Sequence, residues 1–506
     1  MRFTQTTYNH PFSTLCSLLL LALCSCTDDV AGVTEPSYEP VGSSAFVTLS
    51  IMAPVQTRTA DTPQGGETGD GELEDLTPAE DKVKNVTVFF YEDNDLNTLA
   101  ADGSKTILAA EYYTNLKKAD DAYVTETREV ALKDGTYRML VVANAGLRLL
   151  DLHPQGSTIR SLCEAVQSGL PYKVENEVCT QFIMSSKEDT RIELKASESS
   201  QSSPTRIGGI RLQRLSARID FVPTLKEGKE KSYTLAGGTV ADYKFTYTIQ
   251  PTAIKVVNRF NSGTYLLKRT ATDVATAPTY LGKETADADG RATNYVIDPW
   301  TGGKTAENYK DYKDFYDEPA EGPHVWSDAD KIRTSRLPAY PNSTEKYYTL
   351  CYTLENTTSA ENQIAGYSTG IIIKATVIPS YIVGEEATIP NNEVKDFWYC
   401  NGIAYANEKL ARLASILNRQ EVLHFKDGIT YYPYFIRHSN NRSTSNAPME
   451  FAIVRNNVYK LKINSISSLG YTDDTLDPDI PSKESYVKVG ATVVDWNELD
   501  KEEIIM

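Results

Sequence analysis

From residue 45 the chain alternates: AFVTLSIM sets Val47, Leu49 and Ile51 on one side of an extended backbone and Thr48 and Ser50 on the other. Such alternation predicts a half-buried strand, because successive side chains leave a pleated backbone on opposite faces. The pattern continues in VKNVTVFFYED (83–93) and in VTETREVALKDGTYRMLVVANAG (124–146), the latter with Asp134-Gly135 as a hairpin signal. It returns in IRLQRLSARIDFVP (210–223), YKFTYTIQPTAIKVV (243–257), KYYTLCYTLENT (346–357) and GIIIKATVIP (370–379). YYPYFIR (431–437), MEFAIVRNNVYKLKINSISSLG (449–470) and SYVKVGATVVDWNELDKEEIIM (485–506) complete the series. Helical spacing occurs twice. TIRSLCEAVQSG (158–169) aligns Ile159, Leu162 and Val166 with Gly169 as a stop, and NEKLARLASILNRQ (407–420) predicts a helix burying Leu410, Leu413 and Leu417.

Polar stretches punctuate the strands. TRTADTPQGGETGDGELEDLTPAED (57–81) is rich in Gly, Thr and acids and predicts an exposed, disordered loop. KASESSQSSPT (195–205) reads as a linker, and residues 270–340 as a long loop region. Many short strands with few short helices predict an all-β fold of two β-sandwich domains, 45–204 and 205–506. No fixed-period repeat interrupts this division.

The N-terminal region carries a different signal. SLLLLALCSCTDD (17–29) holds about ten apolar residues with its flanks, short of the roughly 20 that span a bilayer. A short apolar run ending in small residues predicts a signal peptide over 1–25. The order Leu, small, small, Cys resembles the bacterial lipobox and implies lipidation at Cys26; Cys24 fits less well because bulky Leu23 precedes it. One lipid chain binds a membrane only marginally; the triacylated cysteine that the resemblance implies anchors firmly. Residues 26–44, polar with two prolines, then read as a tether. An ordinary signal peptide with incidental cysteines is the plainer alternative.

Charge narrows the function. The chain carries a net charge of −17 with no basic block, which argues against nucleic acid as a partner. Cys163, Cys179, Cys351 and Cys400 lack metal-ligand spacing and are too few for a disulfide scaffold. Free buried thiols and a Cys163–Cys179 bridge both remain open. GYSTG (366–370) matches a nucleophile elbow, but that motif needs a helix after its serine, and a β-branched run follows Ser368. DADG (287–290) lacks the rest of a calcium loop, and YTDDTLDPDIP (471–481) has no ligand spacing. His153, His324, His424 and His438 form no paired motif. No active site, metal or cofactor is expected. The 31 tyrosines, notably in YKDYKDFYDE (309–318) and YYPYF (431–435), suit either an adhesive surface or sheet packing, the latter favoured.

Three segments resemble the type V fimbrilins of the Bacteroidales, specifically shaft subunits of short fimbriae: Cys26 followed by a strand and an arginine-bearing loop; LCYTLENTTSAENQ (350–363); and GITYYPYFIRHSNN through NVYKLKINSISSLG (428–470), closed by VKVGATVVDWNELDKEEI. The likeness extends with gaps over nearly the whole chain and is weakest at 61–81 and 270–340. It implies two transthyretin-like β-sandwiches, export as an outer-membrane lipoprotein, and cleavage by an arginine-specific surface protease. Arg58, followed by Thr59, matches the cut, which would release the strand at 45–56 with Val47, Leu49 and Ile51. A C-terminal segment of the next copy, about 493–506 with Ile504, Ile505 and Met506, would fill the vacated groove. The implied partners are further copies, accessory anchor and tip subunits, and host or bacterial surface receptors.

Other readings differ in what they need. A surface-anchored glycan-binding lipoprotein needs neither Arg58 nor an apolar C-terminal tail. A non-polymerising anchor keeps its first strand and lipid, and a tip subunit often lacks a donor tail. Arg58 and the tail together favour a shaft subunit.

Overall fold

In the computed structural model the alternating segments pair into sheets, and β1 (Ala45–Met52) occupies the interior of one of them. The structure describes residues 44–52, 80–93, 104–119, 122–168, 171–175, 178–222, 232–260, 263–288, 291–301, 324–325, 348–439, 446–473, 477, 479–483 and 487–495. β2 (Val86–Glu92), β3 (Ile107–Tyr113), β4 (Leu116–Ala119), β5 (Ala122–Thr125), β6 (Arg128–Val130) and β7 (Gly135–Ala143) belong to the same hydrogen-bonded system. Its path runs β3, β2, β7, Met184–Ser186, Thr205–Arg214, β1, β5, β4.

The strand Thr205–Arg214 turns this path into two layers. Its first part runs parallel to β1, whereas residues 212–214 pair with Met184–Ser186. Within the part paired with β1 the register jumps: Leu49 faces Ile207 but Ile51 faces Ile210. The extra length is Gly208-Gly209, and Gly209 has φ +75°, a left-handed conformation that suits glycine. A bulge bends and twists its strand. Ala45, Val47, Leu49 and Ile51 therefore share one core with Val88 and Phe90 of β2 and Met139 and Val141 of β7.

Two features of the sequence pattern pair differently from their local reading. Thr205–Arg214 pairs with β1 and Met184–Ser186, whereas Ala217–Val222 pairs with Tyr348–Thr353 and Asn457–Ile466. Ile210 and Leu212 are buried in the first core, and the unbroken alternation of 210–223 conceals the crossing at Leu215-Ser216. Nor does Asp134-Gly135 close a hairpin. β6 pairs with β1 and β7 with β2, so this turn connects opposite layers. The Asp134 carboxylate instead accepts hydrogen bonds from the backbone N–H and hydroxyl of Ser197, at 3.2 and 3.0 Å.

In the second sandwich, Ala217–Val222 lies between Tyr348–Thr353 and Asn457–Ile466, with Val487–Asp495 outermost. The opposing sheet runs Tyr233–Val240, Tyr243–Val257, Gly370–Pro379, Ile429–Phe435. Ile219, Tyr247, Ile373, Tyr432 and Leu461 meet between the two sheets. The expected loop region contains a small sheet of Arg269–Ala271, Thr279–Tyr280 and Tyr295–Val296.

The helices are shorter or differently turned than their spacing predicts. The first spans Ile159–Cys163; Val166 has left it and pairs as a strand with Tyr265. The second spans Glu408–Asn418, capped by Asn407, whose side chain accepts from the Leu410 N–H. It buries Ala411 and leaves Leu413 and Leu417 54% and 83% exposed, with Leu410 half-buried. Ala411 sits against its supporting sheet, so the leucine stripe faces away. Among the described residues no helix is long and apolar enough to cross a membrane.

Candidate functional site

β1 is held along both backbone edges and on one face. Val47, Leu49 and Ile51 are fully buried on one face, as alternation requires. One backbone edge pairs with Thr205–Arg214. The other is shared: Ala45, Phe46 and Val47 pair with β6, and Ser50 and Ile51 with β5.

Hydroxyl groups fill the places where these ladders lapse. Between β5 and β6 the neighbouring chain loses its pairing at Glu126-Thr127, and there the Leu49 N–H donates to Thr125 Oγ1 at 3.0 Å. Thr48 and Thr127 join their hydroxyls at 2.8 Å. On the opposite edge, before the ladder with Thr205 begins, the Phe46 N–H donates to Ser199 Oγ at 2.9 Å. Ser199 in turn donates to the Ala196 carbonyl at 3.3 Å, which orients its oxygen toward Phe46.

Charge at the rim is paired. Arg128, opposite Val47, bonds Glu126 at 2.6 Å and lies 4.9 Å from the Tyr113 ring centre. Asn115, followed by Arg128, holds the Glu126 carboxyl below its ordinary range. Burial, opposed by Arg128, pushes Glu111 up. The arrangement can grip an extended chain.

A second polar centre lies at Glu80, where the described chain resumes after β1. Glu80, expected in an exposed acidic loop, is fully buried. Both its oxygens accept from Arg218 Nη1 at 3.0 Å, and Tyr352 donates to it at 2.6 Å. Arg218 also bonds Asp220 at 2.8 Å. Thus the chain resuming at Glu80 is tied to the second sandwich. A buried charge persists only when paired, which explains the convergence. The acidic composition around Glu80 hid this contact from the sequence pattern.

Among the described residues no three His, Cys, Asp or Glu side chains gather as a metal site. Ser368 is buried, accepts from Ser482 at 2.9 Å and precedes the strand Gly370–Pro379, as a turn residue should. His438 is buried between Glu284 at 2.9 Å and Tyr459 at 3.0 Å. Cys163 is a free buried thiol, so the Cys163–Cys179 bridge does not form. Burial pushes its pKa to about 12. Tyr247, Tyr432 and Tyr459 are fully buried and serve packing; 309–318 lies outside the described residues. So do Cys26, Arg58, Thr59, Ile504, Ile505 and Met506.

Two family profiles match the chain. Residues 45–210 match the major fimbrial subunit protein (FimA), and residues 423–502 match the C-terminal fimbrillin part of the major fimbrial subunit protein type IV. The first match begins at β1 and ends at the bulge of its parallel partner. No curated protein matches in sequence. Among solved structures, a Parabacteroides distasonis protein described as a cell adhesion protein is 13% identical, covering 90% of this chain and 100% of its own (TM-score 0.42). A fimbrilin from Porphyromonas gingivalis W83 is 14% identical, covering 91% and 100% (TM-score 0.37). The tip fimbrial protein Mfa3 from P. gingivalis, with a C-terminal truncation, is 10% identical, covering 89% and 99% (TM-score 0.35). Two fimbrillin signatures on one chain support a type V fimbrilin of the Bacteroidales, a fimbrial structural subunit in adhesion.

Proposed function

We propose that the chain is exported as a lipoprotein through Cys26, cut after Arg58 by an arginine-specific surface protease, and polymerised by strand replacement. β1 would leave, and a strand from the next copy would enter its groove. The observation that supports this reading is the interior position of β1, fully buried on its apolar face and paired along both edges. Removing such a strand strands backbone donors and acceptors and uncovers an apolar floor. A donor strand restores both, as in β-augmentation.

The energies favour refilling. Three or four re-buried side chains contribute roughly 1.5–3 kcal/mol each before ordering costs. Net backbone hydrogen bonds add about 0.5–1.5 kcal/mol apiece. Because groove and donor are different surfaces, the contact is heterologous, and its repetition builds an open filament. The candidate donor is the segment of about 493–506, with Ile504, Ile505 and Met506 as its apolar residues. In this reading the precursor is lipid-held at the outer membrane. The product is a shaft that joins anchor and tip subunits and presents adhesion to host or bacterial surfaces.

Arg58→Ala tests the central step. The variant should remain a folded, lipidated monomer, while the wild-type filament protein should begin at Thr59. Filaments assembled from the variant, or a mature N-terminus far from Thr59, would overturn the proposal.

A further inference from the structure

The apolar face of β1 specifies inside and outside but not position. Ala45, Val47, Leu49 and Ile51 recur every second residue, so a strand shifted by two would still present apolar groups to the core. A shift by one would turn every side chain over and is excluded by burial. Something else must distinguish the correct register from the one two residues away.

We propose that Thr127, Thr125 and Ser199 are the groove's recognition groups for the strand it holds, with Thr127 as the register mark. This rests on the strand-replacement reading above. Thr125 and Ser199 accept the N–H groups of Leu49 and Phe46, where strand pairing is interrupted or has not begun. Any residue except proline offers an N–H, so these two hydroxyls hold an incoming chain without reading its side chains. Thr127 is different. It bonds the Thr48 side chain, and so it rewards a hydroxyl at one position between two core-facing residues. In a strand displaced by two residues toward either end, Phe46 or Ser50 would meet Thr127. Phe46 has no hydrogen-bonding group in its side chain, so Thr127 rejects that shift; Ser50 would carry a hydroxyl into the Thr48 place, and the opposite shift is resisted instead by the core, where Val47 would have to fit the space that Ala45 fills. The entering strand of a second copy should therefore carry a hydroxyl or comparable hydrogen-bonding side chain at the Thr48 position.

Two measurements test this with the full chain. In the uncleaved protein, Thr125→Val should speed amide exchange at Leu49 relative to Val47 and Ile51 by about two- to tenfold, and Ser199→Ala should do the same at Phe46. In protein cleaved after Arg58 and freed of its first strand, a synthetic peptide of residues 44–54 should bind. Thr48→Val in the peptide and Thr127→Val in the chain should each weaken binding by about two- to tenfold, and together no more than either alone. Independent, multiplying losses or no loss would overturn the register role. Unchanged exchange at Leu49 and Phe46 would overturn the acceptor roles. If exchange responds as expected but the wild-type peptide never enters the groove, strand replacement itself is wrong, and the recognition role falls with it.

Discussion

Leu49 and Leu417 are the same residue in opposite circumstances. Leu49 is fully buried in the first core, whereas Leu417 stands 83% exposed on its helix. Truncating a buried leucine removes transfer energy and leaves a cavity, so Leu49→Ala should destabilise the folded chain by about 2–5 kcal/mol in denaturant titration. Leu417→Ala should stay within about 0.5 kcal/mol of the parent, because no packing is lost. Glu284 gives a residue-scale prediction of another kind. Burial pushes its carboxyl up, but Lys268 at 3.5 Å and His438 at 2.9 Å reverse this and hold it at about 2. A carboxylate depressed in the folded state stabilises the fold above its unfolded pKa and loses that contribution as pH falls through the folded value. Stability measured from pH 5 down toward pH 2 should therefore decline, and Glu284→Gln should flatten that decline. An unchanged acid limb in the variant would assign the loss to other carboxylates.

At the scale of elements, local pattern and tertiary placement separate cleanly. Alternation located β1 to the residue and the strands at 243–257 and 370–379 equally well, because each is long and one face meets a core. It could not show that IRLQRLSARIDFVP contains two strands in different sandwiches, since the crossing at Leu215-Ser216 preserves the period. Helical spacing found Glu408–Asn418 but assigned its buried face wrongly: a leucine stripe is apolar wherever it points, and small Ala411 allows the close approach. The apolar half of the candidate site was legible for the same reason that β1 was. Its hydroxyls were not, because Thr125, Thr127 and Ser199 are brought to β1 from 76, 79 and 153 residues away. The helix also carries a testable flaw. Arg419 ends it with φ +54°, a left-handed conformation that costs a side chain more than it costs glycine. Arg419→Gly should raise the melting temperature modestly, by the equivalent of up to about 1 kcal/mol. A lower melting temperature would mean that the Arg419 side chain contributes more than its backbone costs.

At the scale of the whole molecule, the two ends of the fold are built unlike each other. β1 is interior to its sheet, whereas Val487–Asp495 is the outermost strand of the second sandwich, paired at nine positions with Asn457–Ile466. Among the described residues that ladder runs to Asp495, opposite Asn457, the first residue of its partner strand. In the proposed assembly, the segment after Asp495 gains its partners only in the groove of a neighbouring copy. Deleting residues 497–506 should therefore leave the melting temperature of the monomer nearly unchanged. Cleavage after Arg58 should still proceed, because the first sandwich and its loop are untouched. Elongation should nevertheless stop, since each vacated groove would meet a neighbour with no apolar tail to offer. Adding a synthetic peptide of residues 493–506 to the cleaved, truncated chain should fill the grooves and protect the first core from exchange without restoring filaments. Filaments of normal length from the truncated chain would reject the tail as the donor and move that role to another exposed strand.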